Sequence, residues 1–171
     1  EPQVTDIFSR PGAAGAAILS HVAGIERHSA HPLARAIVRF AELRNIDDAA
    51  FANVENAPGQ GIAGTAAGIV WRVGSAEFVG QVEAEAFLQD IGIAETIKGK
   101  AVVFARDESG IAAAIALQDA LREEARQAID AIRKLGIRVV MITGDRADVA
   151  EMVSQQVGID EYFAEAMPDE K

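Results

Sequence analysis

The sequence predicts an α/β chain in two parts: an antiparallel sheet with flanking helices over residues 1–117, then part of a parallel α/β domain over residues 118–171. Three patterns support this reading. Apolar residues recur at helical spacing before residue 45, short β-prone pieces divided by glycine fill residues 51–118, and helix and strand patterns alternate beyond Asp119.

In chain order, Ala13 to Gly24 is a first helix, with Ala17, Ile18, His21, Val22 and Ile25 at helical spacing. A second helix starts at Pro32, whose missing N–H suits the first helical position, and ends near Asn45. Leu33, Ile37, Phe40 and Ala41 form its apolar stripe, while Arg35, Arg39 and Glu42 face water. Gly61 to Ala66 and Ile69 to Gly74 read as a hairpin turning at Ala67-Gly68. A helix over Glu83 to Ile91 is expected to turn Val82, Ala86 and Ile91 inward. A second hairpin joins Lys100–Arg106 to Ile111–Gln118 through Asp107-Glu108-Ser109-Gly110. Then come a helix (Arg122 to Lys134), a strand (Ile137 to Ile142), a helix (Ala147 to Val157) and a short strand around Tyr162 to Ala164.

Composition removes several classes of function. Sixteen Lys and Arg against 26 Asp and Glu leave a net charge of -10, which disfavours nucleic acid and anionic lipid. The absence of cysteine excludes disulfides, thiolate zinc sites and cysteine nucleophiles. The longest apolar stretch, Ile111 to Leu117, falls well short of the roughly 18–20 residues a membrane helix needs.

Gly59-Gln60-Gly61-Ile62-Ala63-Gly64 matches the dinucleotide pattern G-x-G-x-x-G. That chemistry needs a helix N-terminus after the glycines to hold a pyrophosphate, and here a β-hairpin follows. The glycines either shape a tight turn or bulge, or leave a flat backbone surface for a planar ring or phosphate. A phosphate-cradling loop is excluded at Lys98-Gly99-Lys100, because Ala101 stands where a magnesium-binding hydroxyl is required.

Glu26, His28 and His31 lie within six residues. Metal ligation is disfavoured: His31 precedes a proline, so it leaves the helical face of His28, and no further ligand of matching type is near. A surface helix cap and a ligand contact at a helix N-terminus both stay open for His31.

The segment Glu26-Arg27-His28-Ser29-Ala30-His31-Pro32-Leu33-Ala34, followed by Pro58-Gly59-Gln60-Gly61-Ile62, resembles the nucleotide-binding domain of heavy-metal-transporting P-type ATPases. The resemblance implies that Glu26 accepts a hydrogen bond from the adenine amino group and that His31 orients the nucleotide. It also implies that Gly59, Gly61, Ile62 and Gly74 form the surface beneath the nucleotide. Ser75 stands where the family carries Asn, so the amide of that residue is missing.

Met141-Ile142-Thr143-Gly144-Asp145 and Met167-Pro168-Asp169-Glu170-Lys171 resemble two signature segments of the same family's phosphorylation domain, which has a haloacid dehalogenase-like fold. A hydroxyl and amides at the C-terminal end of a parallel strand suit a transferring phosphoryl group, and a lysine neutralises its charge. By resemblance Thr143 and Gly144 contact the phosphoryl group, Asp145 contacts nucleotide, Lys171 supplies positive charge, and Asp119 and Arg122 belong to the hinge. The bare alternative for Thr143-Gly144-Asp145 is a strand-to-helix turn capped by Asp145. Gln118-Asp119-Ala120-Leu121-Arg122 favours the zinc, cadmium and lead branch over the copper branch.

The family's phosphorylated aspartate segment, DKTGT, and its magnesium segment, GDGxND, do not occur in the sequence, and both ends read as cuts within a longer chain. The resemblance therefore implies a cytosolic fragment that binds ATP, with Mg2+, for transfer to an aspartate this chain lacks. Its partners would be the remaining phosphorylation, actuator and transmembrane domains. The stretch from Asp119 onward is expected to be poorly ordered or to pair with another copy, for want of its inner strand. Two competitors remain. A free phosphatase of the dehalogenase-like fold needs an Asp-x-Asp pair, which is absent, and a non-catalytic interaction module would show no dependence on nucleotide.

Overall fold

The computed structural model describes residues 1–119, 123–144 and 147–166. The chain divides into two compact units, Glu1–Asp119 and Ala120–Lys171.

The first unit is built on a six-stranded antiparallel sheet. Its strands are β1 (Pro2–Ser9), β2 (Ala52–Ala57), β3 (Gly61–Ala66), β4 (Ile69–Gly74), β5 (Ala101–Asp107) and β6 (Gly110–Asp119), in the order β1-β6-β5-β4-β3-β2. Helices α1 (Gly15–Glu26) and α2 (Pro32–Glu42) pack on one face. There Ile18, Val22, Ile25, Ile37 and Ala41 share a core with Ile62, Trp71, Val73, Ala105 and Ile115. Helices α3 (Ala76–Val79) and α4 (Gln81–Ile91) belong to a second apolar cluster, where Val79 and Ala84 meet Phe104, Ile111 and Ala114. β6 runs through both clusters, which accounts for its unbroken buried run from Ile111 to Leu117.

Two elements were not foreseen. The sequence gives no strand signal over Pro2–Ser9, yet β1 pairs antiparallel with β6 from Pro2↔Asp119 to Ser9↔Ala113, with a bulge between Val4 and Asp6. The bulge interrupts the simple alternation that would have revealed the strand. α3 is a single turn, too short to give a periodic signal.

α4 is also rotated from the expected orientation. Val82 is 76% exposed and Ala86 lies outside, whereas Ala84 is fully buried and Phe87 and Leu88 pack inward. The helix begins at Gln81, immediately after Gly80 at φ +118°, and its inward face is the one that meets Phe104, Ile111 and Ala114.

In the second unit the described elements are α5 (Glu123–Lys134), β7 (Val140–Ile142), α6 (Ala147–Val157) and β8 (Glu161–Phe163), with β7 and β8 paired in parallel. β7 is shorter than expected: Ile137 lies outside it and is 55% exposed. No helix among the described residues is long and apolar enough to cross a membrane.

Candidate functional site

The turn joining α1 to α2 is closed by its own side chains. Ser29 N–H donates to the Glu26 carbonyl at 3.0 Å. Ser29 Oγ in turn accepts from the His31 N–H at 3.2 Å, and His31 Nδ1 accepts from the Leu33 N–H at 3.2 Å. His31 is thus the N-cap of α2, with Pro32 in the first helical turn, and Arg35 Nη1 donates to the Ala30 carbonyl at 2.9 Å. A ring whose Nδ1 accepts carries its proton on Nε2, which leaves that N–H as the donor of an exposed imidazole. Cap and ligand contact are therefore compatible roles, taken by opposite nitrogens of one ring.

Glu26 is the last residue of α1 and only 7% exposed. Burial pushes its carboxyl up to about 7, and among the described residues no ion pair compensates it. It lines a cleft of about 470 Å³ together with Ser29, Arg35, Arg39 and Glu42. Arg27, on the rim, is held by Asp48 and by Glu42 at 2.8 Å. His31 and the glycines of β3 and β4 do not line this cleft.

The glycine segment reaches the same turn through a residue that sequence reasoning missed. Asn56 Nδ2 donates to the His28 carbonyl at 3.2 Å, and Asn56 pairs with Ile62 across β2 and β3. An asparagine two residues ahead of Pro58 was the only cue in the sequence. By this bond the structure joins the Glu26–His31 turn to the hairpin bearing Gly59, Gly61 and Ile62.

The glycines divide by function. Gly59 has φ +75° in the turn between β2 and β3, with open space where a Cβ would stand, so it supplies a conformation and leaves bare backbone. Gly61 and Gly74 are register partners. A Cβ on Gly61 would stand 2.4 Å from the Val73 carbonyl oxygen and 2.5 Å from Phe78 Cδ1, and one on Gly74 would stand 2.3 Å from the Gln60 carbonyl oxygen. Close strand approach therefore requires both glycines without any ligand. Ile62 is 1% exposed and belongs to the core under α1 and α2. Ser75 caps α3, its Oγ accepting from the Phe78 N–H at 3.3 Å, and its own N–H donates to the Gln60 carbonyl at 2.8 Å.

In the second unit Thr143 and Gly144 follow the C-terminal end of β7, ahead of α6. The Thr143 N–H donates to the Phe163 carbonyl at 2.9 Å, and its carbonyl accepts from the Ala166 N–H at 3.0 Å, which fixes this strand end beside β8. Asp145, Arg122 and Lys171 lie outside the described residues. Among the described residues no group of three or more His, Asp or Glu side chains could hold a metal ion.

The model of the haloacid dehalogenase-like hydrolases matches residues 1–169. Over the full chain the sequence is 34% identical to the zinc-transporting ATPase of Bacillus subtilis (strain 168), spanning 27% of that protein. It is 37% identical to copper-transporting ATPase 1 of Rhizobium meliloti (strain 1021), over 99% of this chain and 21% of that one. A crystal structure of a zinc-transporting PIB-type ATPase in the E2P state superposes on 99% of the chain and 27% of its own, with a TM-score of 0.86 at 30% identity. The chain thus spans about a quarter of the length of these relatives. It belongs to the haloacid dehalogenase-like hydrolase family, and its homologues along its whole length are heavy-metal P-type ATPases.

Proposed function

We propose that the chain is the ATP-binding cytosolic region of a heavy-metal-transporting P-type ATPase, with residues 1–117 as nucleotide-binding domain and 118–171 as part of the phosphorylation domain. Within the metals of that class, the zinc, cadmium and lead branch is preferred on Gln118–Arg122, although zinc and copper transporters stand side by side among the relatives.

The observation that carries the reading is the buried carboxyl of Glu26, without an ion pair among the described residues, at the end of α1 that leads into the His31 turn. A carboxyl there recognises a purine edge. The exposed His31 Nε2–H donates to base or phosphate, and the Gly59 turn offers uncovered backbone. Ser75 holds the position of the family's Asn with a shorter side chain, and Gly61, Ile62 and Gly74 shape the sheet beneath. In the second unit Thr143 and Gly144 would contact the phosphoryl group, Asp145 would contact the nucleotide and Lys171 would supply positive charge, during transfer to an acceptor aspartate outside these 171 residues. Magnesium would accompany the nucleotide phosphates. The partners are the remaining phosphorylation, actuator and transmembrane domains of the transporter, which place this region on the cytosolic side.

Calorimetric titration of ATP into the wild type, His31→Ala and Glu26→Ala tests the site. We expect saturable binding by the wild type and at least tenfold weaker binding by each variant, since each removes a charge-assisted or buried hydrogen bond. Binding indifferent to both substitutions would refute it.

A further inference from the structure

Two ties run from the glycine turn and its strands to the segments on either side. On one side the Ser75 N–H donates to the Gln60 carbonyl at 2.8 Å, a bond between two backbone groups. On the other, Asn56 Nδ2 donates to the His28 carbonyl at 3.2 Å, so this tie depends on one side chain. The topology aims it there. β2 is an edge strand, paired with β3 alone, and its register shifts between Ala52 and Glu55, with Asn53 at φ +51°. Asn56 stands opposite Ile62, and directly opposed residues of an antiparallel pair project to one face. Ile62 is buried in the core beneath α1 and α2, so Asn56 projects toward the helices that carry the His28–His31 turn. That turn is closed without Asn56: Ser29 Oγ and His31 Nδ1 accept from the His31 and Leu33 N–H groups, and the His28 N–H donates to the Ile25 carbonyl at 3.0 Å. The glycine turn is closed as well, by the Gln60 N–H on the Ala57 carbonyl at 3.0 Å. Asn56, itself exposed, joins two pieces that are each already formed.

We infer that Asn56 is a positioning residue of the nucleotide site: its bond to the His28 carbonyl sets the spacing between the His31 imidazole and the bare backbone at Gly59, so that one nucleotide can touch both. The inference rests on the ATP-site reading above. A ligand that spans two pieces gains its second contact in full only when they are already held at its length. Otherwise part of the interaction is lost in ordering them. The shifted register weakens the β2–β3 ladder at one end of the edge strand, and the side-chain bond fastens its other end to the turn. Asn56 acts through the turn and not on the nucleotide, since its amide is directed at the His28 carbonyl. An exposed bond of this kind adds little to the stability of the fold, so its effect falls on ligand affinity.

The test is a double-mutant cycle in ATP affinity, measured by calorimetry on the full 171-residue chain: wild type, Asn56→Ala, His31→Ala and the two together. Loss of one hydrogen bond that orders the site should weaken ATP binding about three- to tenfold in Asn56→Ala. In the His31→Ala background the same change should cost less than about twofold, because a site without its imidazole has no second contact left to space. Asn56→Gln keeps an amide donor on a longer stem and should recover at least about half of the lost affinity. Urea unfolding followed by Trp71 fluorescence is the control for folding, with the midpoints of Asn56→Ala and the wild type expected within about 0.5 M of each other. Wild-type affinity in Asn56→Ala, an equal penalty in both backgrounds, or a glutamine no better than alanine would overturn the positioning role. Absence of ATP binding by the wild type would instead remove the nucleotide site itself, and the inference with it.

Discussion

Glu26→Gln should stabilise the first unit above neutral pH and leave it nearly unchanged in acid. In the unfolded chain the carboxyl titrates at its ordinary 4.5, whereas burial holds it at about 7 in the fold. Between those values the native state keeps a proton that the unfolded state has released. Stability therefore falls as pH rises from about 4.5 to about 7, and the loss is complete above that. A displacement of about 2.5 pH units, at about 1.36 kcal/mol each, amounts to about 3 kcal/mol. The amide of glutamine has the same shape and does not ionise, so the variant escapes this penalty. Urea unfolding followed by the fluorescence of the single tryptophan, Trp71, reads the first unit selectively, because that side chain lies in its core at 5% exposure. The advantage of Glu26→Gln should grow from near zero at about pH 4.5 to about 3 kcal/mol at about pH 8. An advantage that stays flat over this range would refute the argument, since it would mean that folding does not shift the group.

Three other outcomes follow from the geometry. Gly61→Ala should cost about 2–3 kcal/mol in urea unfolding because its Cβ meets carbonyl and ring atoms at 2.4–2.5 Å, whereas Gly59→Ala should cost about 1 kcal/mol, for the left-handed backbone alone. Asp107 is held below the usual carboxylate range by the two hydrogen bonds from Arg10, at 2.7 and 2.5 Å, so its stabilisation is present above about pH 4 and lost as pH falls through the lowered value. Asp107→Asn should accordingly lose about 1–3 kcal/mol at pH 7 and show a shallower acid limb in pH-dependent unfolding. Ser75→Asn should restore the family's amide and tighten ATP binding in calorimetry while changing stability by less than about 0.5 kcal/mol, since serine and asparagine cap helices equally well.

What could be seen in the sequence tracks how local the governing interaction is. Pro32 and the stripe through Ile37 and Ala41 announce α2, because proline at a helix start and 3.6-residue spacing act within a few residues. The hairpin of β3 and β4 was equally visible, its turn glycine and β-branched residues being neighbours in the chain. β1 was not visible: its partner lies more than a hundred residues away in β6, and its bulge breaks the alternation. α4 was recognised but turned the wrong way, since its inward face is chosen by contacts with Phe104, Ile111 and Ala114. At the site the resemblance drew attention to Glu26 and His31, while the bond from Asn56 to the His28 carbonyl, which draws the glycine hairpin to their turn, depends on tertiary placement and has no local signature.

The signature residues do not all argue for a ligand with equal force. Gly61 and Gly74 are needed wherever β3 and β4 approach this closely, Ile62 fills the core, Ser75 caps α3, and the Nδ1 of His31 caps α2. A fold that bound nothing would still have reason to keep them. Glu26 is different. Its carboxyl is buried, without an ion pair among the described residues, and an amide side chain in its place would spare the fold about 3 kcal/mol above neutral pH. Folds tolerate a charge-bearing group of this kind where chemistry requires it, and Glu26 is among the residues that line a cleft. Nucleotide recognition in this chain is thus argued most strongly by the residue that weakens the structure holding it.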